Sequence, residues 1–353
     1  MGLREYVIRR TIYMFLLIVA VVCFNFFIFR LPTFLLGVSP LDLMIGPEQR
    51  ATMPYESLQF LYQNYGLVPN PDIFDWIYMF WRYIVNMFSG DFGFSFQSQR
   101  PVMDEIMARL PNTLLLMGTS SIVAIILGIW TGVKAAADPG SRKDVGAVTL
   151  ALFTWSLPIF WMGMILLLFF SYMLPAWTSG IIEGGIGLPS GGTISYEVWI
   201  AFKDQPFGAL AIAGDILLHL ILPMITLGIG GYGGYFLYMR NNLIDVMTED
   251  YILTARAKGL DENQVLYKHG MKNAMLPMVT AIAITFGFLI SGATLTETVF
   301  NWYGLGRYIF ESLIRLDYPV VQAIFMIVAI TAVLANFIAD LLYGYLDPRI
   351  KYG

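Results

Sequence analysis

The residue types that carry chemistry are sparse in this chain. A phosphate-binding P-loop needs a lysine followed by serine or threonine to hold phosphate oxygens and magnesium. The lysines are Lys134, Lys143, Lys203, Lys258, Lys268, Lys272 and Lys351, and none is followed by either residue. The chain is therefore expected to have no ATP site and no catalytic set of its own. Cys23 is the single cysteine, and His219 and His269 stand far apart with no cysteine or further histidine near either. A zinc site needs three or four such ligands together, so no metal centre is expected. Glu297, Asn336 and Asp340 lie in or beside apolar runs. Ionisable groups in such places are costly and often functional, which makes Glu297 and Asp340 candidates for a translocation path, with Glu297 at an outer gate and Asn336 joining Asp340 from one helical turn earlier on the same face. Asp340 has a plainer role open to it, pairing with an Arg or Lys near the headgroups. Asp215 precedes His219 by four residues, a spacing that pairs them along a helix. No run carries a chain of acids, which argues against a proton-driven carrier.

These groups need elements to position them, and the composition points to a bilayer. The 353 residues are 57% hydrophobic and 13% charged, with mean hydropathy +0.66. Soluble domains carry about 25% charged residues. The formal net charge of −4 argues against a nucleic-acid partner. Six apolar runs approach the roughly 20 residues that cross a bilayer: Thr11–Phe29, Thr113–Val133, Ala147–Leu174, Ile216–Met239, Met278–Val299 and Gln322–Tyr343. The first follows Arg9-Arg10 but exceeds the roughly 7–15 residues of a signal-peptide core and lacks a small-x-small cleavage site, so it is read as a span. Lys and Arg favour the termini and the loops after the second and fourth spans, which places both termini in the cytoplasm. Ile73–Phe88 competes as a seventh span. It is short, and Asp75 and Arg82 would each cost roughly 2.5–3.5 kcal/mol at mid-bilayer. Its aromatic content suits an interfacial helix instead. The expected fold is an all-α polytopic membrane protein with six transmembrane helices. Residues 1–30 form the cytoplasmic stub and first span, 31–112 an external cap region, and 113–350 a five-span core.

Several spans carry small residues four apart: Gly128 with Gly132, Gly230 with Gly234, and Gly287 with Ser291. Such spacing lets helix backbones approach closely. For Gly230 and Gly234, within GGYGG, room for a substrate path is a second open reading. The loop 249–277 reads EDYILTARAKGLDENQVLYKHGMKNAMLP. Tyr251–Lys258 favours a short helix and Gly259 a turn or C-cap. Asp261 suits the N-cap of a second helix, Glu262–Ala274, and Pro277 the start of the next span. Two short helices joined at a bend would make a knob that fills a groove on another protein. A solvated basic loop is the alternative on physical grounds alone.

ARAKGL followed by HGMKNAMLP resembles the coupling-loop motif of binding-protein-dependent ABC importer permeases, in which Glu-Ala-Ala precedes a Gly and then Leu-Pro. Here Leu253-Thr254-Ala255 stands at the Glu-Ala-Ala place, and the interval from Gly259 to Pro277 is longer. Both departures are similar to the dipeptide/oligopeptide branch. GDFGFS (Gly90–Ser95), PVMDEIMARLPNTLLL (Pro101–Leu116), TVFNWYGLGRYIFESLIRLDYPVVQ (Thr298–Gln322) and NFIADLLYGYLDPRIK (Asn336–Lys351) also resemble that branch. The stretch RLPTFLLGVSP after the first run departs from its usual Pro-Gly-Asp-Pro.

The resemblance implies a permease of the cytoplasmic membrane working by alternating access beside a second homologous permease, two ATPase subunits or domains and an external solute-binding protein. ATP and magnesium would sit on the ATPases and no cofactor on this chain. The ATPase contact would centre on Thr254, Ala255, Arg256, Ala257, Lys258, Gly259 and Leu260. Di- or oligopeptides are the leading cargo and oligosaccharides the second. The rival of another class is a stand-alone carrier or channel, which would work without ATPase partners.

Overall fold

The computed structural model describes residues 3–36, 41, 45–64, 67–68, 72–181 and 185–346. Cap positions Gly37, Pro40, Gly66 and Pro69, loop residue Gly184, and the basic residues Arg349 and Lys351 lie outside them. No extended strand occurs among the described residues, only an isolated bridge between Phe94 and Pro101. Among the described residues, six helices are long and apolar enough to cross a bilayer: Glu5–Arg30, Val102–Ala136, Ile159–Thr178, Gly208–Met247, Glu262–Ser291 and Tyr318–Leu341.

The chain opens with α1, Leu3–Leu36. The cap region follows with α2 (Pro47–Thr52) and α3 (Tyr55–Asn64), gathered on a small core of Leu41, Ile45, Tyr62 and Leu67. The seventh-span competitor is α4, Ile73–Ser89. Its start is set by reciprocal bonds between Asp72 and Asp75, and its end by Gly90 at φ +76°. One face packs Tyr83, Trp76 and Phe80 against Val22 and Phe26 of α1, so α4 lies against the first span.

Next come α5 (Val102–Ala136) and α6 (Arg142–Ser156). The expected third span, Ala147–Leu174, is broken in the structure. Pro158 disfavours helical backbone in the residue before it, and Leu157 is extended at ψ 134°. The span instead begins with α7 (Ile159–Leu167). A π-turn over Leu168–Met173 leads into α8 (Leu174–Thr178). Pro175 has no N–H for the final turn, and the Leu174 N–H bonds back to the Phe169 carbonyl.

After α9 (Tyr196–Phe202) comes α10 (Gly208–Met247), the longest helix, at 40 residues. It packs along α5 at glycine-thin contacts. A Cβ on Gly132 would lie 2.9 Å from the Phe236 carbonyl. Beyond the bend after α11 (Asp250–Ala257), the expected separate second helix and fifth span prove to be one rod. α12 (Glu262–Gln264), a π-turn over Val265–Gly270, and α13 (Met271–Gly287) run on without a break. Pro277 lies inside α13 instead of starting it. The rod ends at Ser291, and Gly292 turns the chain at φ +69°. Glu297 therefore belongs not to the span but to α14 (Thr294–Val299), which is followed by α15 (Leu305–Ile314) and α16 (Tyr318–Leu346).

Candidate functional site

The loop after α10 folds back on itself. Ile252 and Ala255 of α11 and Val265 of the π-turn are buried together, with Met247 and Leu260 packed around them. Gly259 makes the bend at φ +76°, in open space. Asp261 caps the returning helix by accepting from the Asn263 N–H at 3.0 Å. Across the bend, Arg256 pairs with both Glu262 oxygens at 2.9 and 3.2 Å. That pair is exposed, so it contributes little beyond geometry. Asn273 donates to the Tyr251 hydroxyl at 2.8 Å and ties α11 to the rod. Gly270 is held against α10, where a Cβ would lie 2.9 Å from the Met247 sulfur.

The seven expected contact residues thus divide. Thr254, Arg256, Ala257, Lys258 and Gly259 are exposed and Leu260 is half-buried. Ala255 is 4% exposed and faces inward, where it seats α11 on Val265. α11 is joined to the rod through the bend at Gly259 and is held to it by the packing of Ile252 and Ala255 on Val265 and by the Tyr251–Asn273 bond.

Near this loop, Asp144 ties α6 to α10. Its two oxygens accept from Arg240 Nε and Nη2, both at 2.6 Å, and Oδ2 also accepts from the Gly140 N–H at 2.8 Å. The Arg240 guanidinium holds the Asp144 carboxyl below the usual carboxylate range, against the opposing effect of burial. The sequence reading missed this pair because its members are separated by 96 positions and share no spacing pattern.

At the opposite end, the motifs around Gly90–Leu116 and Thr298–Gln322 close on each other. Asp317 accepts from the Ser95 hydroxyl at 2.5 Å and the Phe96 N–H at 2.9 Å. Arg109 pairs with Glu105 and lies over the rings of Tyr303 and Tyr308, 4.4 and 3.9 Å from their centroids. Trp302 Nε1 donates to the Asn112 carbonyl at 3.0 Å. Glu297 is fully buried. It accepts from Thr113 Oγ1 at 3.1 Å, the Arg307 N–H at 2.9 Å and, more weakly, the Ala293 N–H at 3.4 Å. Burial pushes its carboxyl up, and those donors work against the rise. Any side chain at Gly304 would collide with Glu297 and Thr113. Glu297 therefore holds a turn together and does not line an opening.

The family profile described as "Binding-protein-dependent transport system inner membrane component" matches residues 124–352. The chain is 36% identical to the oligopeptide transport system permease protein AppB of Bacillus subtilis (strain 168) over 348 residues, 98% of this chain and 99% of the relative. It is also 36% identical to the glutathione transport system permease protein GsiC of Escherichia coli (strain K12) over 350 residues, 99% of each chain. The chain belongs to this family. It is a multi-pass cytoplasmic-membrane permease of the kind that works with ATPase subunits and a binding protein.

The permease's other path candidates are scattered. Gly230 is buried, and a Cβ there would touch Ile159 at 3.0 Å, whereas Gly234 faces open space. Asn336 is exposed. Asp340 is paired with Arg10 at 2.9 Å, and its carbonyl accepts from the Tyr6 hydroxyl at 3.0 Å, so the plainer role describes it. His219 meets Asp215 as spaced, with Nδ1 2.8 Å from the Asp215 carbonyl. The Asp215 carboxylate is occupied by the Ser195 N–H and hydroxyl at 2.6 and 2.9 Å, which pins the segment before α9.

Proposed function

We propose that this permease imports di- or oligopeptides through a path shared with a second homologous permease, driven by two ATPase subunits or domains. The observation that carries the reading is the α11 bend. Its inner face, Ile252 and Ala255, packs on Val265 of the π-turn that leads into α13, while Thr254, Ala257 and Lys258 stand outward on a short ridge. A ridge of small and basic side chains fits a groove on an ATPase, and its rigid seat makes it a lever. ATP and magnesium then belong to the ATPases, with no cofactor on this chain. Both termini lie in the cytoplasm in this reading, on the same side as the bend, because Lys and Arg concentrate there. Full-length relatives that carry oligopeptides and glutathione, by their names, favour peptide over oligosaccharide. ATP binding shifts the assembly between two states with different affinities for the ATPase closure.

Reconstitution in liposomes tests this. ATP-dependent uptake of short peptides is expected from the full assembly and none from this chain alone. Uptake by the chain alone would establish the stand-alone carrier, and uptake of oligosaccharide without peptide would overturn the cargo. Gly259→Pro should separate ATP hydrolysis from uptake, because proline is locked near φ −65° and the bend sits at φ +76°.

A further inference from the structure

Between α1, α4 and the start of α16 lies a cleft of about 90 Å³. A single water needs roughly 10–15 Å³, so the cleft accommodates a group with several oxygens. The polar side chains that line it are Arg30, Arg82, Tyr83, Asn86, Asp91 and Gln322. The Tyr83 hydroxyl and the Gln322 amide nitrogen are buried without a hydrogen-bond partner, on residues 6% and 8% exposed. Burial pushes the Tyr83 phenol up to about 12, with Gln322, Arg30 and Asn25 pulling the other way, so the hydroxyl keeps its proton. The hydroxyl can therefore donate, and an amide nitrogen and a guanidinium are donors only. The complement of such a cleft is an acceptor with several oxygens and negative charge. Two guanidiniums stand against one carboxylate, Asp91, whose Oδ1 already accepts from the Gly93 N–H at 3.1 Å. Arg82 gives one N–H to the Gln63 carbonyl at 3.4 Å.

Position decides where the anion comes from. Arg30 ends the span Glu5–Arg30, and Gln322 stands near the start of Tyr318–Leu341, so the cleft lies where hydrocarbon gives way to headgroups. Beside it, α4 exposes Ile77, Tyr78, Trp81 and Val85, a surface suited to the interface and to acyl chains. We propose that this cleft holds the phosphate of a phospholipid, with the headgroup against Arg82, Tyr83, Gln322 and Arg30 and the acyl chains along α4.

The test uses the assembled transporter in neutral detergent, with phosphatidylglycerol, diacylglycerol and inorganic phosphate as probes. Binding is read by native mass spectrometry and by the thermal midpoint. Phosphatidylglycerol should bind and raise the midpoint, and diacylglycerol should bind roughly tenfold more weakly because it lacks the charged acceptor. Arg82→Gln should weaken phosphatidylglycerol roughly tenfold and Tyr83→Phe several-fold. Tyr83→Phe deletes only an unpaired hydroxyl, so without lipid its midpoint should not fall, which separates lost binding from lost folding. Equal binding of the two lipids, or unchanged binding in both variants, would overturn the proposal. Displacement of the lipid by an equal concentration of inorganic phosphate would overturn the lipid as source.

Discussion

Replacing Gly128 by alanine tests whether the α5–α10 seam holds the permease core together. The new methyl would sit 2.5 Å from the Tyr235 Cβ and 2.9 Å from the Phe236 backbone nitrogen. Carbon atoms pack at about 3.5–4.0 Å, so the helices must part by about 1 Å at this point. The obstructing atoms are a Cβ and a backbone nitrogen, so a rotamer change gives no relief. Overpacking of this kind costs about 1–3 kcal/mol. Alanine regains about 0.8–1 kcal/mol over glycine inside a helix, leaving a net loss of about 0–2 kcal/mol. Gly118 on the same helix is the control, because a Cβ there meets nothing within 4 Å and only the helix gain of about 1 kcal/mol applies. The two variants should differ by about 1–3 kcal/mol. The assay is thermal unfolding of the purified chain in detergent, with Gly118→Ala at or above the native midpoint and Gly128→Ala below Gly118→Ala. Coinciding midpoints would refute the view that close backbone approach at this seam sets the packing.

Other consequences follow from the contacts already described. Asp144→Ala should cost about 2–3 kcal/mol, less than the ~3–5 of a fully enclosed pair, because the Arg240 side chain keeps 19% exposure; denaturation against native chain measures it. The Asp144 carboxyl is lowered on folding, so its stabilisation is full above its unfolded value near pH 4 and fades as pH falls through the folded one. Asp144→Ala should flatten the acid limb of a stability–pH curve, and an unchanged limb would argue against the pair. Glu297→Gln should lose about 1–3 kcal/mol, because an amide NH₂ would face the hydroxyl and N–H donors that the carboxylate accepts; a midpoint equal to the native one would contradict this. Ala255→Glu should loosen the loop even in the isolated chain, seen as faster protease cleavage near Gly259. Lys258→Glu should leave the isolated chain intact and weaken ATPase co-purification alone, and equal effects of the two would remove the distinction between inner and outer faces.

The membrane character, the number of spans and the place of the loop were legible in the chain itself. A run of about 20 apolar residues has few alternatives to a bilayer, and a glycine between a helix former and an N-cap aspartate has few alternatives to a bend. The amphipathic α4 was also legible, because Asp75 and Arg82 are costly to bury. Local signals misjudged continuity. Pro158 broke a run that looked whole, while Pro277 sat inside a helix that it was expected to begin. Hydropathy averages over a window and does not register a single missing N–H, and a proline inside a span is tolerated when neighbouring groups absorb the freed carbonyl. Only the tertiary structure decided which way side chains face and which distant groups meet. Ala255 turns inward because Val265 returns beside it, Asp340 is met by Arg10, and Glu297 is enclosed by Thr113 and the turn at Gly304–Arg307. Asp144 and Arg240 find each other only because α6 packs on α10. Charge pairing and burial are set by three-dimensional neighbours, and one-dimensional spacing carries no trace of them beyond a helical turn.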